Sequence, residues 1–513
     1  RRIFPEGERL ARGGLATVGC LDVFVSRDSW RQPARLLDLA GRRAKLDDAV
    51  RLGFHHPVTV TWRGVAKPGC FVQHHMAHAA STFYRSGYER AAILTHDGYG
   101  NGRSYHSGLI AYGDGNRIWA VSPHGLSIGG VYDRVAAEVG LGVAGGAGKL
   151  MGLAPYGKPA FFRQQFVGND EDFAARFGTG PARAWIDHCR ALAEAKGYDL
   201  SALGNTERTL DPINVDFASS TQRLFEETYL AAADVTETIL RRSELATGNL
   251  CLSGGTALNC PSNSKIFREG PFGNVFIEPS CDDSGLAIGS TLYVTHNLFD
   301  RPRATAAQLA SPYLGHVYTG AEIDAAIVRA GERVRATPCA DAADAAGRDL
   351  AENRVIAWFE GGSENGPRAL GHRSLLANPG FADNWARVNH IKGRELWRPF
   401  APAVLEEDAA DWFEGAPLPS PYMLFTAQVR GDRLPAITHV DGSARIQTVG
   451  AMNGEFRRVL ESFRAQSGLP VVMNTSLNGP GEPIVETPDE ALAFLAATAA
   501  DALYMGGYRI ERA

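Results

Sequence analysis

Two histidines four residues apart, His74 and His78, stand in the stretch Gln73-His74-His75-Met76-Ala77-His78-Ala79-Ala80-Ser81. The apolar run before it, Cys70-Phe71-Val72, reads as a strand running into a helix start. On a helix, residues i and i+4 lie one above the other on one face, so two imidazoles can close on one metal ion. Taken alone, the spacing fits equally a helix whose start is capped by one histidine, the others being satisfied polar groups. Asp97 follows a strand-like run, Ala91 to His96, and opens the segment Gly98-Tyr99-Gly100-Asn101-Gly102. As a bare Asp-Gly pair it is a common turn. Asp283 follows the strand Val275 to Pro279 and starts a helix with small residues at Gly285, Ala287 and Gly289, where N-cap duty competes with any other role.

A second group is cationic. The loop from Glu360 to Ser374 sets Arg368 and Arg373 on a glycine-supported turn, and two guanidiniums there suit bidentate capture of phosphate or carboxylate. The run from Lys392 to Phe400 interleaves Lys392, Arg394 and Arg398 with Trp397 and Phe400, which favours a ligand wall over a solvated face. Val471 to Met473 reads as a buried strand ending in Asn474, Thr475, Ser476 and Asn478. Hydrogen-bonding side chains in that position require polar partners.

The elements that must hold these residues are strands alternating with helices. Glycine supplies 57 of 513 residues, about 11% against a usual 7%, and clusters after strand-like runs as strand–loop–helix phosphate sites require. Asn249 to Ser253 is a strand, and Gly254, Gly255 and the residues to Asn259 turn it into a helix with amides facing an anion or ribose. Gly142 to Gly157 reads as a glycine-rich loop whose backbone can approach a ligand at Gly145, Gly146 and Gly148, with Lys149 to neutralise phosphate. It is not a P-loop, because Leu150 stands where Ser or Thr is needed. Phe161 to Arg242 looks helical and charged, with one helix from Ser220 to Arg241. Residues 1–68 carry a helical periodicity from Ala34 to Leu52 and a strand from Val58 to Trp62, without assignable chemistry. A Pro- and Ala-rich stretch near 300–315 divides the chain into domains 1–310 and 311–513. In the second, helices at Ala321–Arg329 and Ala340–Asn353, a strand at Val355–Phe359 and a capping box at Thr487–Glu490 complete an α/β pattern.

Composition narrows the class. Net charge is −5, which leaves no electrostatic footprint for nucleic acid or an acidic membrane. No apolar run reaches the roughly 18 residues of a membrane span. Seven cysteines are scattered, odd in number and never spaced CxxC, as in a protein of the reducing cytoplasm.

The blocks HHMAHAAS, HDGYG, GGAGKLMGLAPYG, LSGGTALN, ENGPRALGHRSLL, GRELWRPFAP and MNTSLNGPGEPIV, in this order over residues 70–513, resemble the ATP-dependent O-carbamoyltransferases of secondary metabolism and nodulation-factor modification. That family joins an actin-like (ribonuclease-H-type) domain, similar to the universal tRNA threonylcarbamoyl-transfer protein, to an α/β domain similar to threonylcarbamoyl-AMP synthase. The resemblance implies one divalent transition metal on His74, His78, Asp97 and Asp283: iron(II) by likeness, with manganese or zinc also suited to the ligand set. It implies an adenylate at Gly98, Gly148, Lys149 and Gly254, Gly255 and Asn259. It also implies a site for carbamoyl phosphate and ATP with Mg²⁺ at Arg368, Arg373, Lys392, Arg398, Arg445, Asn474 and Ser476, with Arg368, Lys392 and Arg398 in the catalytic roles.

The implied reaction forms carbamoyl-AMP in the second domain and transfers its carbamoyl group to a small-molecule alcohol in the first, with a homodimer left open. The family's opening strand and His-Asp-x-Ser-Ala-like turn have no counterpart before Gly69. The sequence therefore also sustains two other readings, an actin-fold small-molecule kinase and a non-catalytic nucleotide-binding relative. A carbamoylating relative that matures a hydrogenase would need CxxC zinc modules, which are absent, and the opposite domain order.

Overall fold

The computed structural model describes residues 55–62, 65–98, 107–142, 145–168, 179–303 and 311–513, together with a two-residue pairing of Leu15–Ala16 with Val25–Ser26. The periodic stretch Ala34 to Leu52 and the glycines at 100 and 102 lie outside the described residues. The chain divides into two compact units, residues 1–310 and 311–513.

The first unit opens with an antiparallel ribbon of β1 (His55–Trp62) and β2 (Val65–Val72), which runs into α1 (His74–Arg85). Then come β3 (Arg90–His96), β4 (Gly108–Asp114), β5 (Arg117–His124), α2 (Ile128–Glu138), α3 (Gly146–Leu153), α4 (Pro181–Ala195) and α5 (Pro212–Arg242). The unit continues with β6 (Asn249–Ser253), α6 (Cys260–Glu269), β7 (Asn274–Ile277) and α7 (Leu286–Leu292). The sheet order is β5-β4-β3-β6-β7: β3, β4 and β5 form an antiparallel meander, and β6 and β7 join parallel to β3. β3 is central and buried along six of its seven residues, as a strand covered on both faces must be. Two expectations change. The glycine-rich stretch is a helix from Gly146, entered through Gly145 in the left-handed region at φ +73. The long helix starts at Pro212 rather than Ser220, with proline in its first turn, where a missing N–H costs no bond.

Helix α1 is buried from His74 through Tyr84. Its partner α7 approaches so closely that a Cβ at Gly289 would lie 1.9 Å from the Ala77 carbonyl oxygen. Ala77 sits between the two histidines, so Gly289 sets the spacing of the site's main helix. Gly289→Ala is expected to destabilise the protein by about 1–3 kcal/mol, as overpacking does, read as a lower urea midpoint with loss of metal affinity.

The second unit comprises α8 (Gly320–Ala330), β8 (Val334–Pro338), α9 (Ala342–Ala351), β9 (Ile356–Phe359), β10 (Arg373–Ala377), α10 (Asn384–Ile391) and β11 (Ala401–Leu405). It ends with β12 (Phe413–Glu414), β13 (Phe425–Val429), β14 (Ser443–Val449), α11 (Gly454–Ser467), β15 (Val471–Ser476), α12 (Pro488–Ala497), β16 (Ala502–Met505) and β17 (Tyr508–Arg512). Ten strands form one mixed sheet in the order β8-β17-β16-β9-β10-β15-β11-β14-β13-β12. Its central strands β9, β10 and β11 are buried throughout. The capping box expected at α12 is present, with Thr487 and Glu490 bonding reciprocally. Among the described residues no helix is long and apolar enough to cross a membrane, and the six described cysteines are free thiols.

Candidate functional site

The start of α1 is capped by Gln73, whose side-chain oxygen accepts the Met76 amide at 2.7 Å. No histidine is spent on the cap. His74 and His78 then meet edge to face one turn apart, ring centroids 4.7 Å from each other. The carboxyl end of β3 delivers Asp97 to them. Ahead of α7, Asp282 takes the capping role by accepting from the Ser284 amide at 3.1 Å, which leaves Asp283 facing the histidines. The choice between cap and ligand that Asp283 posed is thus divided between two neighbouring aspartates.

The four ligand atoms lie within 4.8 Å of one another. His78 Nε2 is 3.4 Å from both Asp97 Oδ2 and Asp283 Oδ1, and His74 Nε2 is 3.5 Å from Asp283 Oδ1 and 2.6 Å from Asp97 Oδ2. Ligands on metal bonds of 2.0–2.2 Å in a tetrahedron stand about 3.3–3.6 Å apart, so three of these four distances suit a shared ion. His78 Nε2 is buried and makes no hydrogen bond to either carboxylate. Such an orphaned nitrogen is costly unless a cation takes its lone pair. The partners behind the ligands agree. Ser253 Oγ lies 3.3 Å from His78 Nδ1 and 3.2 Å from the Cys281 carbonyl, so Nδ1–H donates to Ser253, Ser253 donates to Cys281, and the Nε2 lone pair points at the carboxylates. The Gly255 amide donates to Asp97 Oδ1 at 2.9 Å. Burial pushes the Asp97 carboxyl pKa up, but the two imidazoles more than reverse this and hold it well below the carboxylate range. Asp283 is 71% exposed, so the site opens to solvent on that side.

The expected adenylate residues divide. Gly255 spends its amide on Asp97, and Gly254, at φ +95, lets β6 pass where a Cβ would meet the His96 carbonyl oxygen at 2.1 Å. Both therefore shape the candidate metal group. Asn259 is buried, accepting from the Ser262 amide and pairing with Gln222 at 3.0 and 3.1 Å. Gln222 in turn meets the Tyr132 hydroxyl at 2.6 Å and Glu226 at 2.9 Å. Sequence reasoning missed this network, whose one signal was the i, i+4 spacing of Gln222 and Glu226 on α5. Gly98 lies against Asp133, whose carboxylate oxygen would stand 3.3 Å from a Cβ there. Gly148, with Lys149 beside it, falls in the first turn of α3 and faces open space.

In the second unit, Lys392 Nζ donates to the Ser476 carbonyl at 2.5 Å and to the Asn478 carbonyl and side chain at 3.1 and 2.8 Å. Burial, then the charges of Arg394 and Arg398, lower its pKa to about 7. Arg394 is lowered to about 9 by burial, then by Arg398 and Arg445. Four basic groups, Lys392, Arg394, Arg398 and Arg445, thus crowd one place, where Glu395 stands 3.5 Å from Arg398 and a bound anion would be favoured. Arg394 belongs to the run expected to form a ligand wall, but no individual role was expected of it. Its signal was the Lys392-x-Arg394 spacing, and its guanidinium stacks 4.1 Å over the Phe400 ring. Arg368 Nε and Asn474 Oδ1 are buried without partners among the described residues, and both remain available to a ligand.

Arg373 differs from expectation. It is fully buried at the start of β10, its guanidinium 3.6 Å over Phe359 and donating to the carbonyls of Glu360, Gly361 and His372. A side chain that satisfies backbone carbonyls holds the loop rather than a ligand. Glu364 braces the same loop, accepting the Leu370, His372 and Arg373 amides at 2.7, 2.8 and 3.3 Å. A cavity of about 400 Å³ opens beside it, lined by Glu364, Ser476, Asn478, Glu482 and Glu486 among others.

An anion held by Lys392 would bind in a pH-dependent way. A bound dianion favours the charged ammonium, so above about pH 7 binding must take up a proton. Sulfate stays dianionic, and its affinity is expected to fall by roughly tenfold between pH 6.5 and 8.5 in calorimetry. A flat profile would remove Lys392 from the anion site.

These two sites, on a mixed α/β chain of two units, go with a known family. Residues 58–292 match the carbamoyltransferase N-terminus and residues 347–512 the carbamoyltransferase C-terminus, and the chain belongs to the carbamoyltransferase family. It is 35% identical over 457 residues to nodulation protein NolO of Bradyrhizobium diazoefficiens, covering 86% of this chain and 79% of that protein. It is 36% identical over 458 residues to nodulation protein NolNO of Sinorhizobium fredii, of whose length it covers 64%. It is also 34% identical over 371 residues to a 3'-hydroxymethylcephem-O-carbamoyltransferase of Amycolatopsis lactamdurans, covering 72% of this chain and 65% of that protein.

Proposed function

We propose that this protein is an ATP- and carbamoyl-phosphate-dependent O-carbamoyltransferase acting on a hydroxyl of a small molecule. The observation that carries the reading is the meeting of His74, His78, Asp97 and Asp283 within 4.8 Å in a chain of this family. The strand order of the first unit, an antiparallel meander with two parallel strands added beside its first strand, supports an actin-like fold for residues 1–310 as the transfer domain. Residues 311–513 serve as the adenylate-forming domain, similar in role to threonylcarbamoyl-AMP synthase.

In the second unit, carbamoyl phosphate is hydrolysed to carbamate and phosphate, and a carbamate oxygen attacks the α-phosphorus of Mg²⁺-bound ATP. Carbamoyl-AMP forms and pyrophosphate leaves. Lys392, Arg394, Arg398 and Arg445 offset the negative charge gathered on three phosphates and the carbamate, and Arg368 and Asn474 supply donor and acceptor atoms that have no other partner among the described residues. In the first unit, the acceptor oxygen attacks the carbamoyl carbon, its proton is released and AMP departs. A divalent metal on the four ligands, iron(II) by preference, would supply Lewis-acid charge at this step. Asp97 is oriented by Gly255, His78 by Ser253, and the exposed face at Asp283 admits the reactants. Lys149 and the first-turn amides of α3 suit the AMP phosphate.

Pyrophosphate and AMP release from ATP tests the reading. Release is expected only when carbamoyl phosphate is present, with AMP following once an acceptor alcohol is added. ATP turned over to ADP without carbamoyl phosphate would instead identify a kinase.

A further inference from the structure

The run from Lys392 to Phe400 carries Lys392, Arg394 and Arg398 of the basic cluster, yet it forms no helix or strand. Its ends are fixed. Lys392 is the C-cap of α10, and Ala401 opens β11 opposite Asn474 of β15. The turns between those ends meet on one side chain. Asn389, on α10 and fully buried, accepts the Arg394 Nε proton on Oδ1 at 2.6 Å. Its Nδ2 donates to the Arg398 carbonyl at 3.2 Å and to the Leu396 carbonyl at 3.4 Å. Its own backbone carbonyl accepts the Arg394 amide at 3.1 Å. The side-chain amide can face only one way, because a guanidinium offers only donors and carbonyls only accept.

This hold on Arg394 is neutral. The other contacts of the guanidinium are the Pro399 carbonyl, 3.3 Å from Nη2, and the Phe400 ring. Neither is an anion, and the nearby carboxylate of Glu395 lies 3.5 Å from Arg398 instead. Arg394 Nη1 has no hydrogen-bond partner among the described residues. An aspartate at position 389 would grip the guanidinium more firmly and offset its charge. The asparagine fixes the side chain and leaves both the charge and the Nη1 donors to a ligand.

We propose that Asn389 is a positioning residue of the anion site, a neutral clamp that aims Arg394 at the bound anion without offsetting its charge. The assignment rests on the reading of the basic cluster as the site for carbamoyl phosphate and ATP.

The test titrates sulfate, as a dianion probe, into the unaltered full chain and its variants by calorimetry, with a thermal melt to establish that each is folded. Arg394→Met and Asn389→Leu are each expected to weaken sulfate binding by about tenfold, the scale of losing one charged hydrogen bond. In the double variant the losses should not add, because Asn389 acts through Arg394. Asn389→Asp keeps an oxygen for Arg394 but adds a charge, and is expected to weaken sulfate by at least about tenfold. Its carboxylate should also move the alkaline fall in affinity to higher pH by favouring the Lys392 ammonium, a shift that a purely structural role would not produce. Unchanged affinity in folded Asn389→Leu or Asn389→Asp would overturn the proposal, as would additive losses in the double variant. Unchanged affinity in Arg394→Met would overturn it even if neither Asn389 variant folds. Absence of sulfate binding by the unaltered protein would overturn the reading of the cluster as an anion site, and the clamp with it.

Discussion

Alanine at His74 is expected to strip the divalent metal from the protein while leaving carbamoyl-phosphate-dependent pyrophosphate release intact. His74 Nε2 lies 2.6 Å from Asp97 Oδ2 and 3.5 Å from Asp283 Oδ1, so its loss removes a ligand from the middle of the group. Loss of residues that merely orient ligands costs 10–100-fold in metal affinity, so removal of a ligand is expected to cost more than about 100-fold. Metal content by mass spectrometry after dialysis against a chelator reads the first effect. Carbamoyl transfer to an acceptor alcohol reads the second, and is expected to fall in proportion to the metal lost. Disappearance of both partial reactions in a folded His74→Ala protein would show that the two units do not divide the chemistry as proposed.

Lys392→Met is expected to act on the other half. Pyrophosphate release should fall by about 100-fold, the scale of losing one preorganised charge stabiliser, with metal content unchanged. Lys392→Arg is not expected to rescue it, because the ammonium donates to the Ser476 carbonyl, the Asn478 carbonyl and the Asn478 side chain at 2.5–3.1 Å, a set of acceptors around one point that a planar, forked guanidinium does not match. A thermal melt separates chemistry from folding. Between about pH 7 and the ordinary lysine value of 10.5, the unfolded chain holds the Lys392 proton and the folded chain releases it. This group's contribution to stability therefore rises with pH through that window, and the methionine variant should lose that rise. Lys392→Met with full pyrophosphate release would remove the lysine from the reaction.

Much of the four-residue candidate metal group was legible because its parts are local. The His74–His78 spacing needs only a helix to align it, and Asp97 needs only a strand that ends where β3 does. Asp283 was ambiguous, since a cap and a ligand look alike in sequence, and only the placement of Asp282 on the Ser284 amide resolves it. The cationic cluster was half legible. Basic residues among aromatics marked the place, but which arginine serves a ligand depends on where each side chain turns. Arg373, expected to face a ligand, is buried against Phe359 and bonded to carbonyls, whereas Arg394, given no individual role within the expected ligand wall, stacks over the Phe400 ring within the cluster. The glycines at 254 and 255 looked like phosphate loops because strand–Gly–helix junctions share one local form, whatever their amides finally meet.

The sequence by itself determined which chemistries were present: a histidine pair at helical spacing, acids at strand ends, and a run of bases between aromatics. It also carried the alternation of strand and helix and the order of the blocks. Periodicity and caps act over a few residues, so one dimension suffices to read them. The tertiary structure decided what those residues touch. His74, Asp97 and Asp283 come from three separate elements, and only the close approach of α7 to α1, which Gly289 permits, sets the last of them against the first. Contacts between residues so distant along the chain depend on packing, which the pattern of a single sequence does not encode position by position.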